Sequence, residues 1–246
     1  MLLVFSLTVA LAGIAAPPAA PKAKPVPHIR IFHVDGSHDS PDIPDTVRGH
    51  AHIGGCYGIS REKPVGILWL SVNPATEREY SVTIANLLVG DVIPIGLGVY
   101  RVDSMTPGPY KADSTATIVC RFLDNPPEGA TVTEGALSFP FNGWGKNEDA
   151  RINTHFHGRR FRAKFVASEG NQPDAVQVYV VEPTGRDEQG ILHGREFIYT
   201  VREGDLLKVG KYTHRVVNIV PPDPKTNVIG WFEVNLEPEP MPDEEK

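Results

Sequence analysis

Apolar and polar residues alternate along much of this chain. In residues 161–167 the apolar side chains occupy every second position, and Arg162 and Lys164 lie between them. Residues 212–220 have the same period of two. Successive side chains of a β-strand point to opposite faces of a sheet, so this period predicts strands with one buried face.

Other short runs are rich in β-branched and aromatic residues, which also predict strands. They are separated by Gly, Pro, Asn and Asp, the residues that favour turns. Examples are GILWLSV, EYSVTI, STATIVCRFL, AVQVYVV and EFIYTV. No window of a dozen residues has the 3.6-residue apolar period of an amphipathic helix. The pattern therefore predicts an all-β protein.

Two segments of the chain repeat one another. VGDVIPIGLGVYRVDSMTPGP begins at Val89, and EGDLLKVGKYTHRVVNIVPPD begins at Glu203. Aligned without gaps, six of the eighteen positions from residue 90 to residue 107 are identical in the second segment. Chance would give about one identity, so the match indicates an internal duplication. The identical pairs are Gly90/Gly204, Asp91/Asp205, Gly96/Gly210, Arg101/Arg215, Val102/Val216 and Pro107/Pro221.

The similarity continues outward and defines two units, residues 28–127 and residues 134–238. Each has the length of a small domain and holds about six or seven predicted strands. We predict two tandem copies of a β-sandwich-like domain of ~100 residues, and the alternative is a pair of small β-barrels. The Gly-Asp pair of each copy is expected at a turn, where Gly takes a positive φ and Asp bonds the turn backbone.

The two ends of the chain differ from the repeated body. Residues 1–15 are apolar and uncharged and contain A-x-A-type cleavage patterns, which predict a signal peptide. Residues 16–27 form a Pro/Ala-rich spacer, and residues 239–246 form an acidic tail that is expected to be disordered. We expect a secreted or periplasmic protein with no membrane span after cleavage. The alternative is a protein anchored by an uncleaved N-terminal segment.

The formal net charge is −6 at pH 7, which argues against nucleic acid as a partner because phosphate binding needs a basic field. The expected partner is a protein or a polysaccharide. The basic run GRRFRAK contains Arg159, Arg160 and Arg162 and is a candidate contact for an anionic partner. Its alternative interpretation is a solvated strand face. Trp144, in the loop-like segment FNGWGKN, is a further candidate contact.

The chain has two cysteines, Cys56 and Cys120. When the two copies are aligned by their H-x-H and Pro pairs, Cys56 falls opposite Phe161 and Cys120 opposite Phe232. Both aromatic residues are typical of a core, so the two cysteines are expected to lie inward and close together. For an exported protein this predicts one disulfide, and the alternative is two buried thiols.

The chain also contains two H-x-H pairs, His50/His52 and His155/His157. On a strand, residues i and i+2 project from the same face, so each pair could bind a divalent transition metal such as Zn or Cu. His214 is a candidate third ligand, and so is His193. The alternative is that these are structural or surface histidines.

Residues 193–218 are similar to the second conserved motif of cupins. A Gly-Asp turn precedes His214-x-x-x-Asn218, and in cupins the histidine of this motif binds a metal ion. His155 and His157 would then correspond to the histidine pair of the first cupin motif. The resemblance implies a bicupin-like pair of barrels and a metal-dependent enzyme. The Pro-Gly turn and the glutamate of the cupin motifs have no match here, so the tandem sandwich remains the preferred prediction.

Motifs of other enzyme classes are absent from the sequence: it contains no G-x-S-x-G, no Walker loop and no G-x-G-x-x-G followed by a helical pattern. We therefore expect a non-catalytic binding or structural module of the cell envelope or extracellular space, without a cofactor. The alternative is a metal-binding protein or metal-dependent enzyme that uses the H-x-H pairs.

Overall fold

All regular secondary structure in the described part of the chain is β-strand, and every pairing between strands is antiparallel. This confirms the all-β prediction. No helix that could cross a membrane is found among these residues. The structure is a computed structural model, and it describes residues 28–33, 49–60, 63–72, 80–106, 116–142, 152–168, 174–186 and 192–240.

The described part of the first half forms a three-strand meander and a four-stranded sheet. The strands are β1 (His28–His33), β2 (Gly49–Ser60), β3 (Lys63–Val72), β4 (Tyr80–Leu87), β5 (Val92–Ile95), β6 (Gly98–Thr106) and β7 (Ala116–Phe122). Strands β2, β3 and β4 are the meander, and the four-stranded sheet has the order β1-β7-β6-β5.

The second half has the same organisation with one additional strand. Its strands are β8 (Ala136–Pro140), β9 (Ile152–Phe156), β10 (Arg159–Val166), β11 (Ala175–Arg186), β12 (Leu192–Val201), β13 (Leu206–Val209), β14 (Tyr212–Val220) and β15 (Trp231–Asn235). Strands β10, β11 and β12 are a second meander. The sheet order β8-β15-β14-β13 repeats that of the first half strand for strand.

The additional strand, β9, joins the two meanders into one seven-stranded sheet with the order β2-β3-β4-β9-β10-β11-β12. On one side β9 pairs with β4, from Tyr80 opposite Phe156 to Ile84 opposite Ile152. On its other side it pairs with β10. The longest sheet of the structure therefore contains strands from both halves of the sequence.

The glycines of the repeated turns have the same backbone geometry in both halves. Gly90 has φ 100° and Gly204 has φ 89°. The Gly90 amide donates to the Val102 carbonyl at 2.8 Å, and the Gly204 amide donates to the Val216 carbonyl at 2.8 Å. The prediction of a positive φ at these glycines is confirmed.

The aspartates that follow these glycines also act alike. Asp91 Oδ2 accepts a hydrogen bond from the Leu88 amide at 2.8 Å, and Asp205 Oδ2 accepts one from the Arg202 amide at 2.8 Å. Each carboxylate thus holds the backbone of its own turn, as predicted from the sequence. The repeated residues are used for folding in both places.

Strand register corrects the alignment of the cysteines. Val102 lies opposite Cys120, and its counterpart Val216 lies opposite Val234. Cys120 therefore corresponds to Val234, and it is Ile118 that corresponds to Phe232. The sequence alignment was two residues out of register here, because it was taken from a pair of prolines beyond β7 and β15 that are not equivalent in the structure.

The predicted disulfide between Cys56 and Cys120 is not formed in the structure, because Cys120 is a free thiol. Cys120 is buried as predicted, but it takes the position of Val234, two residues from the phenylalanine position on which the predicted bridge was based. Cys56 lies on β2 in the seven-stranded sheet, whereas Cys120 lies on β7 in the four-stranded sheet. Burial, with a smaller contribution from Asp103, raises the pKa of the Cys120 thiol to about 12.

Aromatic residues pack the two sheets of the second half against each other. The ring of Phe161, on the seven-stranded sheet, lies 4.8 Å from that of Phe139 and 6.0 Å from that of Phe232, on the four-stranded sheet. All three side chains are almost fully buried. Burying a phenylalanine side chain stabilises a fold by about 2 kcal/mol, so this cluster is a main contribution to the packing.

In the first half the corresponding sheets approach closely at a glycine. A Cβ atom at Gly66 on β3 would lie 2.9 Å from Cδ1 of Ile118 and 3.0 Å from Sδ of Met105. A larger residue at this position would have to push the ends of these two side chains aside. Within the described residues none of the three sheets closes on itself, so the alternative prediction of small β-barrels is not supported.

The two halves also meet through the backbone of β5. The Val92 amide donates to the Asn227 carbonyl at 2.8 Å, and the Ile229 amide donates to the Val92 carbonyl at 3.2 Å. The segment before β15 in the second half thus extends the edge of the four-stranded sheet of the first half. Side chains alone do not hold the halves together.

Glu239, the first residue of the predicted acidic tail, contacts the body of the fold. The Glu239 amide donates to the Thr213 carbonyl at 2.7 Å. The Glu239 carboxylate accepts from Nε of Arg215 at 2.9 Å and from Nη2 of Arg215 at 2.5 Å. Glu239 is therefore part of the fold beside β14, and residues 241–246 lie outside the described part of the chain.

Candidate functional site

Two of the predicted metal ligands, His157 and His214, are in contact in the core. Their Nε2 atoms lie 2.7 Å apart, and their exposed fractions are 4% and 0%. Nδ1 of His214 lies 2.8 Å from the Asn235 carbonyl oxygen, which can only accept, so this nitrogen carries a hydrogen. In the neutral pair His214 Nε2 is therefore the acceptor, and His157 Nε2–H donates to it.

His157 reaches this position from a turn. The two residues between β9 and β10 are His157, with φ 51°, and Gly158, with φ 71°, which is the pattern of a tight hairpin turn with two positive φ values. The imidazole of His157 stacks on the ring of Tyr212 at 4.1 Å and lies 4.2 Å from the ring of Phe156. The contact therefore fastens the β9–β10 turn to β14.

The third predicted ligand of this half, His155, is exposed and does not join the pair. The expectation that His155 and His157 share a face assumed that both lie on a strand. β9 ends at Phe156, and His157 is the first residue of the left-handed turn. Its side chain is therefore buried, whereas that of His155 is exposed. No three His, Cys, Asp or Glu side chains within the described ranges are placed to hold a metal ion.

The other H-x-H pair does not correspond to His155 and His157 in the fold. His50 and His52 lie on β2, the counterpart of β10 as the first strand of a meander, whereas His155 lies on the additional strand β9. His50 and His155 are three strands apart in the seven-stranded sheet, which is about 14 Å at the usual strand spacing. They therefore cannot share one metal ion.

Two adjoining cavities of about 300 and 290 Å³ lie on the seven-stranded sheet and share His155, Arg160 and Val181. We refer to them together as the Arg160 cleft. The cavity of about 300 Å³ is lined by Thr154, His155, Arg160, Phe161, Arg162, Tyr179 and Val181. The other is lined by His155, Gly158, Arg160, Val181, Pro183, His193 and Gly194.

Strand pairing explains why these residues converge. Arg160 on β10 lies opposite His155 on β9 and opposite Val181 on β11. Arg162, two residues further along β10, lies opposite Tyr179 on β11. Directly opposite residues in antiparallel strands project from the same face, so the cleft side chains form neighbouring rows.

The alternation along β10 separates the basic residues from the core. Phe161 and Ala163 are buried, whereas Arg160, Arg162 and Lys164 are exposed. The period of two in the sequence predicted this division. Part of the basic run is thus a strand face, and that face forms one side of a cavity.

The cleft is electrostatically positive. It contains two guanidinium groups and two imidazoles, and none of the described residues that line it is acidic. Nη2 of Arg162 forms an ion pair with Oε1 of Glu196 at 2.7 Å, and its guanidinium lies 5.3 Å from the centroid of the Tyr179 ring. Arg160 has no ion-pair partner in the described part of the chain. Its charge remains available to a ligand.

One of the predicted contact residues, Arg159, does not line the cleft. Arg159 donates from Nη1 to the His157 carbonyl at 2.8 Å, and its guanidinium packs against the turn at Gly210. Trp144 lies outside the described residues. Tyr179 was not predicted from the sequence, and His193 was considered there only as a possible metal ligand; the β10–β11–β12 pairing brings both into the cleft. The alternation of β11 would have placed Tyr179 on a polar face, but only the register gives its neighbour.

A second polar cluster surrounds Glu233, which is 0% exposed. Its carboxylate accepts hydrogen bonds from the Thr133 amide at 2.9 Å, Oγ of Ser138 at 3.0 Å, Nε1 of Trp231 at 3.2 Å and Nδ2 of Asn218 at 3.3 Å. All four donors are neutral. Thr133 belongs to the linker between the halves (residues 128–133), and the other three lie on β8, β14 and β15. The cluster therefore anchors the linker to the second half.

Comparison with known proteins finds no matching family model, no similar curated protein and no similar solved structure. The class of the protein rests on its own fold and site. It is an all-β protein with open antiparallel sheets and a basic cleft on its largest sheet.

Proposed function

We propose that this protein is a non-catalytic binding module that holds an anionic polysaccharide in the Arg160 cleft. The observation that carries the proposal is the guanidinium of Arg160, which has no ion-pair partner among the described residues. It lies between His155 and Val181 in a cavity of about 300 Å³ that no described acidic residue lines. A planar guanidinium binds carboxylate and sulfate oxygens through two parallel hydrogen bonds.

The size and composition of the cleft favour one sugar residue of a chain. A cavity of about 300 Å³ is at the lower end of the range for small-molecule sites. Two cavities share a wall at Arg160, so consecutive units of a polymer could occupy both. The imidazoles of His155 and His193 supply further hydrogen-bonding groups for hydroxyls or for the anionic group itself.

We further propose that the module consists of two copies of one β-sandwich-like domain. The repeated strand order, the matching Gly-Asp turns and the packing of each meander on its own four-stranded sheet support this. In this proposal residues 1–15 direct export to the periplasm or cell exterior, where anionic polysaccharides are found. The cleft belongs to the second copy and depends on β9, which also pairs with the first.

The test is calorimetric titration of the full chain with carboxylated or sulfated oligosaccharides and with a neutral dextran oligosaccharide of the same length. Arg160→Ala removes this guanidinium and should weaken binding of the anionic oligosaccharides by about tenfold to a hundredfold, the value of a charge-assisted hydrogen bond. Lys164→Ala is the matched control, because Lys164 is an exposed cation on the same strand but does not line the cleft.

Three results would contradict the proposal. One is no binding of any anionic oligosaccharide, and another is equal binding of the neutral one. The third is an equal loss of affinity in Arg160→Ala and Lys164→Ala, which would indicate attraction to net charge without a specific cleft.

A further inference from the structure

Strand β12 is at one end of the seven-stranded sheet and pairs with β11 along one edge only. Its other edge has no partner strand among the described residues. The strand is ten residues long. It therefore presents a long row of backbone N–H and C=O groups that can pair with another strand.

The second half of β12 lacks the features that usually protect an exposed strand, whereas Gly194, Arg195 and Glu196 lie in its first half. Residues 197–201 read FIYTV, a run of strand-forming residues with no charge, Gly or Pro. Ile198, within this run, is 60% exposed, the highest value among the large apolar side chains of the described ranges. Soluble proteins normally place Lys, Pro or a bulge on an exposed edge, so a run of five uncharged, strand-forming residues is typical of a pairing site.

The first half of the molecule shows how this position in the fold is used. β4 is the counterpart of β12, since each is the last strand of its meander. β9 covers the second edge of β4, from Tyr80 opposite Phe156 to Ile84 opposite Ile152. The same position in the repeat therefore accepts an antiparallel strand.

We propose that β12 pairs antiparallel with β12 of a second copy of this chain, so that two seven-stranded sheets join across a twofold axis at Ile198. In this register the two Ile198 side chains face each other. Phe197 lies opposite Tyr199 of the other copy, and Glu196 lies opposite Thr200. Aromatic pairs directly opposite each other in antiparallel strands stabilise a sheet.

Charge disfavours registers that are shifted toward the start of β12. An axis at Glu196 would set two carboxylates opposite each other, and an axis at Arg195 would do the same with two guanidinium groups, both of which are unfavourable. The axis at Ile198 avoids both and buries the most exposed apolar side chain. A twofold contact is also the commonest form of association between identical chains.

Strand direction disfavours the other way of joining two copies. The seven-stranded sheet is antiparallel throughout, so its first and last strands, β2 and β12, run in the same direction. Repeating the sheet by translation would require β12 to pair in parallel with β2 of the next copy. Parallel pairing is slightly less stable per residue, and it would leave open ends and produce fibres.

The test is light scattering coupled to size-exclusion chromatography of the full chain at micromolar concentrations. The wild type should have twice the mass of one chain. Ile198→Lys sets two cations opposite each other and should raise the dimer dissociation constant by about tenfold or more. Val166→Lys is the matched control: Val166 is 36% exposed on β10, away from the edge, and the variant should remain a dimer.

A second measurement checks the register. Ile198→Cys should form a covalent dimer under mild oxidation, and Val89→Cys, at a residue that is 52% exposed outside β12, should not. A monomeric wild type would overturn the proposal, and so would a dimer that Ile198→Lys leaves intact or that Ile198→Cys fails to cross-link. Dimerisation through β12 does not depend on ligand binding in the Arg160 cleft, so either proposal can fail alone.

Discussion

His157 and His214 share one hydrogen between Nε2 atoms that are 2.7 Å apart in the core. The Asn235 carbonyl fixes the direction of this hydrogen bond, because it takes the Nδ1 hydrogen of His214. The pair joins the β9–β10 turn of one sheet to β14 of another. Two histidines that were separate candidate metal ligands in the sequence thus contact each other in the core and join two sheets.

Removing the His157 imidazole should destabilise the fold. His157→Asn keeps a residue that tolerates a positive φ, so it isolates the loss of the side-chain contacts. It leaves the buried Nε2 of His214 without this donor, which should cost about 1–3 kcal/mol in the free energy of unfolding. His157→Ala should cost about 1 kcal/mol more, because alanine disfavours φ 51°. Urea unfolding measures both, and a cost for His157→Asn within error of zero would contradict a structural role for the pair.

The duplicated Gly-Asp turns should respond equally to the same substitution. A Cβ atom at Gly204 would have nothing within 4 Å, and at Gly90 its nearest neighbour would be Nδ2 of Asn227 at 3.7 Å, an ordinary contact. Gly90→Ala and Gly204→Ala therefore introduce backbone strain and no clash, and each should cost about 1–2 kcal/mol. Glu203→Ala, at an exposed neighbour, is the control. Urea midpoints at constant m-value measure the three effects, and clearly unequal costs at the two glycines would mean that the turns are not equivalent.

These turns were predictable because their geometry follows from local chemistry. A glycine that takes a positive φ and an aspartate that accepts a hydrogen bond from its own turn are adjacent in the sequence, so the pair identifies the turn. The same holds for β10, where the alternation of Phe161 and Ala163 with Arg160 and Arg162 separates core from surface. The type of each of these elements, and which of its side chains are buried, could therefore be predicted from the sequence.

Contacts between residues that are distant in the sequence could not be predicted in this way. β9 has no strong period, and its place between β4 and β10 depends on pairing with residues about 70 positions earlier. The two H-x-H pairs have the same sequence pattern, yet His50 and His52 lie on β2 at the end of the sheet, whereas the second pair ends in the β9–β10 turn. A shift of two residues in one strand was enough to place Cys120 at the wrong counterpart. Register between strands is set by the whole sheet and by turn geometry.

The burial of Glu233 could not be predicted either, because no residue near it in the sequence indicates a buried carboxylate. Glu233→Gln keeps its volume but turns one acceptor into a donor that faces existing donors. We expect a loss of about 1–3 kcal/mol in the free energy of unfolding. Glu203→Gln, at an exposed glutamate, should be neutral within about 0.5 kcal/mol. Because Trp231 donates to Glu233 at 3.2 Å, its native fluorescence should also shift. A stable Glu233→Gln variant with wild-type fluorescence would contradict the proposed anchoring of the linker.

The buried thiol of Cys120 should make the fold less stable at high pH. Burial and Asp103 raise its pKa in the folded protein to about 12 from the usual 9.0. The unfolded chain therefore loses this proton first, and stability is fully present below about pH 9 and falls as the pH rises toward 12. Between pH 8 and pH 10 the contribution of this residue should fall by about 1 kcal/mol. Urea unfolding of the wild type and of Cys120→Ala at both pH values isolates the contribution of Cys120, because other titrating groups change both proteins alike.

The wild type should lose more stability than the variant over this interval, and its Cys120 should resist thiol reagents until the protein unfolds. Equal losses in the two proteins, or rapid labelling of Cys120 in the folded state, would show that the thiol is not held in its neutral, buried form.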